Sequence, residues 1–246
     1  MEFIWLFIIG LIANVLGTLA GGGGLISLPA MLLMGIPVHS AIGANKVSNT
    51  VSSLSSFIVI YKYKEITVKE ALIVMPLCLG GGISGGLIAS LLTEHTMIII
   101  AVVLLTFALL SSFLGSSDFN GIRPLVVNKK SGFSLFGIGF YDGVFGPGSG
   151  TLMMYVLSHL GISYIRAVGL ARIAIFSSCF GASITYIATG KIMWAVTMAL
   201  LLGSVSGAQI GVHLARKLKK EYVKPLLRIV TIALLIQIVV TKFMGN

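Results

Sequence analysis

The sequence predicts an all-α polytopic membrane protein. It would be built from two inverted-topology repeats, each with a glycine-rich, re-entrant helix hairpin and about three full transmembrane helices. Three observations predict this fold. Hydrophobic residues make up 57% of the chain and charged residues only 10%, against about 25% charged in soluble domains. Mean hydropathy is +1.04, so lipid and not water must cover most of the surface. The chain also matches itself, without a gap, when shifted by 126 residues.

The apolar runs follow in order. Residues 3–19 lack a basic leader and read as a retained helix, not a cleaved signal. Gly21-Gly22-Gly23-Gly24 interrupts the chain, and the run 24–34 ends at Gly35-Ile36-Pro37. Eleven helical residues reach about 16 Å, half of a hydrocarbon core of about 30 Å. Runs 40–61, 69–92 and 96–114 follow, separated by Lys62-Tyr63-Lys64-Glu65 and Thr93-Glu94-His95. Residues 115–131, with Asn120-Gly121, Pro124 and Lys129-Lys130, read as a cytoplasmic linker between a first repeat, 1–114, and a second, 132–246. The second repeat opens with 132–145 and breaks at Gly146-Pro147-Gly148-Ser149-Gly150. Another short run, 150–160, follows, and 165–188, 192–215 and 222–243 complete it.

Under the shift, Gly24 falls on Gly150, Gly35 on Gly161, Lys46 on Arg172, Gly81 on Gly207 and Gly85 on Gly211. Five segments per repeat is an odd number, which places the second copy upside down. The distribution of Lys and Arg tests this independently. With the 62–69 loop in the cytoplasm, Lys62, Lys64, Lys69, Arg123, Lys129, Lys130, Arg166, Arg216, Lys217, Lys219, Lys220, Lys224 and Arg228 lie inside, and only Lys191 and Lys242 lie outside. This places both termini outside the cytoplasm, in a multi-pass protein of the inner (plasma) membrane. The net charge of +10 is then topology, and no nucleic-acid partner is needed.

Short, glycine-interrupted segments at matching positions of two halves point to a central transport site. Uncapped helix N-termini favour anions, so the expected substrate-binding residues include Gly22, Gly23 and Gly24, with Gly148, Ser149, Gly150 and Thr151. Ser149 and Thr151 could cap the second short helix or bind an oxyanion directly. The glycines could instead serve close helix packing, as in 81–86 and 203–211. Lys46 and Arg172 each lie about 12 Å into a helix by helical rise. Buried bases of this kind are functional candidates, though snorkelling or pairing with a carboxylate would also account for them. Asn45, Ser48 and Asn49 flank Lys46 and would orient a ligand, whereas Ala171, Ala174 and Ile175 stand beside Arg172. Asp142, the acidic residue inside a span, could carry a coupling proton, balance Lys46 or Arg172, or hold a sodium ion.

Cys78 and Cys179 read as core residues. His39, His95, His159 and His213 have no ligand spacing, and no HExxH, Walker-type or triad pattern occurs. An enzyme, a metal site and a cofactor are therefore not expected.

The runs Gly-Gly-Gly-Gly-Leu-Ile-Ser-Leu-Pro (21–29) and Asp-Gly-Val-Phe-Gly-Pro-Gly-Ser-Gly (142–150) resemble the TauE/SafE sulfite exporter family, over essentially the whole chain. The resemblance implies a carrier of small anions such as sulfite or sulfoacetate. It implies that Asp142, Gly143, Gly146, Pro147, Gly148 and Gly150 belong to the family signature. The expected function is secondary transport of small organosulfur acids or oxyanions by alternating access, in the direction of export. An anion channel and a non-transporting scaffold subunit are the alternatives, and a homodimer is left open.

Overall fold

A computed structural model describes residues 2–21, 23–100, 103, 119, 121 and 124–217. Among these residues the chain is helical, without strands. Eight helices organise it: α1 (Glu2–Ala20), α2 (Gly24–Leu33), α3 (Val38–Lys62), α4 (Val68–Leu91), α5 (Lys129–Val144), α6 (Ser149–His159), α7 (Tyr164–Ala188) and α8 (Trp194–Ala215). Residues 94–100 are also helical. By length and composition α1, α4, α7 and α8 can each cross a membrane. The expected run 222–243, most of 96–114, and residues 115–118, 120, 122 and 123 of the expected linker lie outside the described residues, as do Gly22, Lys219, Lys220, Lys224, Arg228 and Lys242.

Local chemistry sets the helix ends. Thr67 and Glu70 form a reciprocal capping box at the start of α4, and Asn128 and Ser131 form another at the start of α5. The second box explains a difference from the sequence reading. Helix α5 begins at Lys129, so residues 129–131, expected in the linker, are its first turn. Helix α8 starts at Trp194, and Ile192, just before it, packs against the core beside Gly43. The two short helices end alike. After α2, Ile36 N–H bonds to Met31 O and Gly35 N–H to Leu32 O; after α6, Ile162 N–H bonds to Leu157 O and Gly161 N–H to Ser158 O. Each is the double bond of a Schellman ending, with glycine in the left-handed position (φ 78° at Gly35, 77° at Gly161).

The helix bounds repeat at the sequence offset: α3 starts at Val38 and α7 at Tyr164, while α4 starts at Val68 and α8 at Trp194. The packing partners repeat too. Helix α1 packs along α8 and α5 along α4, while α3 lies between α7 and α8, and α7 between α3 and α4. The long seams are glycine-lined. A Cβ on Gly207 would stand 2.1 Å from Leu11 O, and one on Gly85 2.2 Å from Phe140 O. The glycines in 81–86 and 203–211 therefore bring backbones together. Polar side chains collect in α3 and α7, the two central helices, where Lys46, Ser52, Ser53, Arg172, Ser177 and Ser178 are buried.

Candidate functional site

The two glycine interruptions lie against each other. Gly21 has φ +78°, and a Cβ there would fall 2.1 Å from the carbonyl carbon of Gly150; one on Gly24 would fall 3.2 Å from Pro147 Cα. This contact needs residues without side chains, which accounts for glycine at these positions. The Thr151 hydroxyl locks the pair by donating to Ala20 O at 2.9 Å. Neither short helix has a side-chain cap: the N-cap of α2 is Gly23, and that of α6 is Gly148 in the left-handed conformation. Ser149 and Thr151, considered above as caps, serve otherwise. Ser149 is the first helical residue and turns its hydroxyl to Asp142, while the Thr151 hydroxyl is committed to α1.

A small polar cavity of about 20 Å³, room for about one water-sized molecule, opens where the interruptions meet. Gly21, Gly23, Gly24, Gly146 and Ser149 line it, together with Asn14, Asn49, Asp142, Arg172 and Ile175. The ends of two uncapped helices and one guanidinium therefore face a common space.

The two buried bases have different surroundings. Lys46 is 1% exposed and Arg172 4%, so neither snorkels to an interface. Lys46 Nζ donates to the Asp142 backbone carbonyl and, at 3.2 Å, to Asp142 Oδ1. Gly146, at φ +100°, leaves room for this contact, since a Cβ there would sit 2.4 Å from Nζ. The Asp142 carboxylate also accepts from Ser149 Oγ at 2.7 Å, from the Ser178 hydroxyl, and from Cys179 Sγ at 3.2 Å. Arg172 has neutral partners, donating to Thr18 Oγ1 at 2.5 Å and to Ser53 Oγ at 3.4 Å. Among the described residues no carboxylate pairs with it.

The polar flank of Lys46 divides. Asn45 donates to Ser27 on α2 and accepts from Asn49 Nδ2 at 2.7 Å. Ser48 is buried against α8, 3.4 Å from Thr197 O. Of the three, Asn49 alone lines the cavity. Gly148 and Thr151 are at the α6 end but not in the cavity lining, and Gly22 is outside the described residues. The sequence reading did not single out Asn14, Thr18, Ser53 or Ser178. Their signal was available: Asn14 and Thr18 are polar and four apart on a helix that is otherwise apolar after Glu2, so they share a face. Ser52-Ser53 and Ser178-Cys179 stand at equivalent places in α3 and α7.

The family model described as sulfite exporter TauE/SafE matches residues 6–238. A probable membrane transporter protein of a Sinorhizobium species is 33% identical over 245 residues, covering 95% of this chain and 91% of the relative. A probable membrane transporter protein of Haemophilus influenzae is 28% identical, covering 92% and 90%. One from Bacillus subtilis is 24% identical, covering 97% and 98%. No solved structure matches at a significant level.

Proposed function

The chain belongs to the TauE/SafE sulfite exporter family and is an integral, multi-pass membrane transporter; from that premise we propose that it carries a small oxyanion through the cavity beside Arg172. Sulfite, sulfoacetate and related organosulfur acids are the substrate class. The observation that carries this reading is a buried guanidinium with neutral partners, facing a space where two uncapped helix ends meet. A buried cation demands an anionic partner, and none of the described side chains supplies one.

In this reading α2 and α6 dip from opposite faces, as parts of two inverted copies, and their N-terminal N–H groups take substrate oxygens. The paired packing of α1 on α8 and α5 on α4 supports a two-fold relation between the copies. The copies rock about the site, which opens alternately to each side. A potential negative inside drives anion export at about 2.3 kcal/mol per charge per 100 mV. The charge pattern supports placing both termini outside the plasma membrane.

The test is thermal stabilisation of the purified protein by sulfite, sulfate, thiosulfate, sulfonates and carboxylates, repeated on Arg172→Gln. The expected result is stabilisation by a subset of these anions that Arg172→Gln loses. Stabilisation retained in full by Arg172→Gln would remove Arg172 from the site. Saturating flux with counterflow in proteoliposomes is expected of a carrier; non-saturating flux would make the protein a channel.

A further inference from the structure

We propose that Asp142 is a permanently ionised counter-charge to Lys46 and carries no coupling ion, so that Arg172 alone charges the cavity and the anion crosses with its own charge uncompensated. This rests on the carrier reading above and adds how the site handles charge.

An ionised carboxylate offers about four lone-pair positions to donors. Asp142 meets four donors. Ser149 Oγ (2.7 Å) and Lys46 Nζ (3.2 Å) are on Oδ1; the Ser178 hydroxyl and Cys179 Sγ (3.2 Å) are on Oδ2. They arrive from three helices, α3, α6 and α7, and the residue is 4% exposed. A proton on Asp142 could be met by turning the Ser178 hydroxyl to Ala174 O, but it would leave the Lys46 ammonium without a counter-charge in the interior, which is costly. A sodium ion approaching from the cavity would find the carboxylate's lone-pair positions already met by donors. The charged and titratable groups around Asp142 are Lys46 on α3, Cys179 and Arg172 on α7, Cys78 on α4 and Tyr141 on α5 itself. Of these, Lys46 is the charged group bonded to the carboxylate.

Arg172 differs on each point. A guanidinium has five N–H donors, and two of them meet described acceptors, Thr18 and Ser53. The other three have no acceptor among the described residues. The residue equivalent to Asp142 at the repeat offset is Leu16, so α1 gives Arg172 a hydroxyl where α5 gives Lys46 a carboxylate. Lys46 and Asp142 cancel as a pair, Asp142 at the cavity wall and Lys46 behind it, and Arg172 is left as the charge at the cavity without an ionic partner among the described residues.

Infrared spectroscopy tests Asp142 directly. Asp118 and Asp142 are the only aspartates in the chain, so carbon-13 aspartate in Asp118→Asn labels Asp142 alone. No protonated-carboxyl band is expected between about pH 5 and about pH 9, where a coupling carboxyl must titrate. A labelled band that grows as pH falls through that range would overturn the proposal. In proteoliposomes the probe is methanesulfonate, whose charge does not vary with pH. Its flux should follow an imposed membrane potential and ignore pH and sodium gradients. Flux driven by either gradient would overturn the proposal and leave the carrier reading standing. If methanesulfonate neither bound nor moved, the carrier reading would fail for that probe, and the infrared result would still decide Asp142. For Arg172, Thr18→Asp places a carboxylate against the guanidinium. It should weaken methanesulfonate binding by about tenfold or more, with undiminished thermal stability in the absence of anion, and the neutral Thr18→Asn should lose far less. Equal binding in Thr18→Asp and Thr18→Asn would show that Arg172 is not the charge of the site.

Discussion

Lys46 and Arg172 occupy equivalent positions in α3 and α7, at equal depth and nearly equal burial. Around Lys46 the second set of helices brings Asp142, held by two serines and a cysteine. Around Arg172 the first set brings Thr18, and α3 adds Ser53. The two sockets stand at equivalent places along the sequence, and Leu16 in place of Asp142, with Gly23 in place of Ser149, gives them different chemistry. One socket is a closed ion pair that fixes α5 to α3. The other is an open cation facing the cavity. The interruptions meet between the two sockets; under the proposed reading the closed one serves architecture and the open one the ligand.

The largest expected effect is on the closed socket. Lys46→Met should leave Asp142 buried and unpaired, and lower stability by about 3–5 kcal/mol. Lys46→Met with Asp142→Asn should recover much of that loss. Denaturation of the detergent-solubilised protein measures both, and equal stability of the single and double variants would dissolve the distinction between the sockets. Next is the open socket: Arg172→Gln should cost about 2–5 kcal/mol of anion affinity and leave the anion-free protein as stable as before or more so, because an uncompensated buried cation is lost. Titration calorimetry together with a melting curve checks it, and a large fall in anion-free stability would make Arg172 structural like Lys46. Gly21→Ala should destabilise by about 1–3 kcal/mol, because a left-handed backbone and the Gly150 contact both refuse a side chain. A melting curve indistinguishable from the parent would show that the interruptions need not touch. Smallest is Thr151→Val, which removes one hydroxyl bond from α6 to α1 at about 1 kcal/mol, again read by melting.

Much of this arrangement was legible in the sequence. Short runs after glycine breaks appeared as α2 and α6, because length and glycine placement are local properties. Lys46, Arg172 and Asp142 were visible as the charges inside apolar runs. Their pairing was not, since a carboxylate 96 residues from Lys46 and 30 from Arg172 can reach either base, and only the packing of α5 against α4 and α7 decides it. Of the two roles open to Ser149 in the sequence, capping is not taken up, because a carboxylate seven residues earlier outcompetes the backbone for its hydroxyl. Asn14 and Thr18 were hidden by the apolar composition of α1, whose sequence carries no charge after Glu2 and resembles a plain lipid-facing span. The hydroxyls of α3 and α7 gave no direction, because serine in a membrane helix often bonds its own preceding turn, as Ser56 and Ser177 do.

The seam between α1 and α8 has a bearing on biosynthesis. Translation releases α1 first, whereas the strip of Gly203, Gly207 and Gly211 that receives it emerges only after α7. Until then Asn14 and Thr18 must wait in the bilayer, their cationic neighbour Arg172 also still unmade. The nascent chain therefore carries an unsealed polar stripe through most of its insertion, and the cavity can close only in the last stage of assembly.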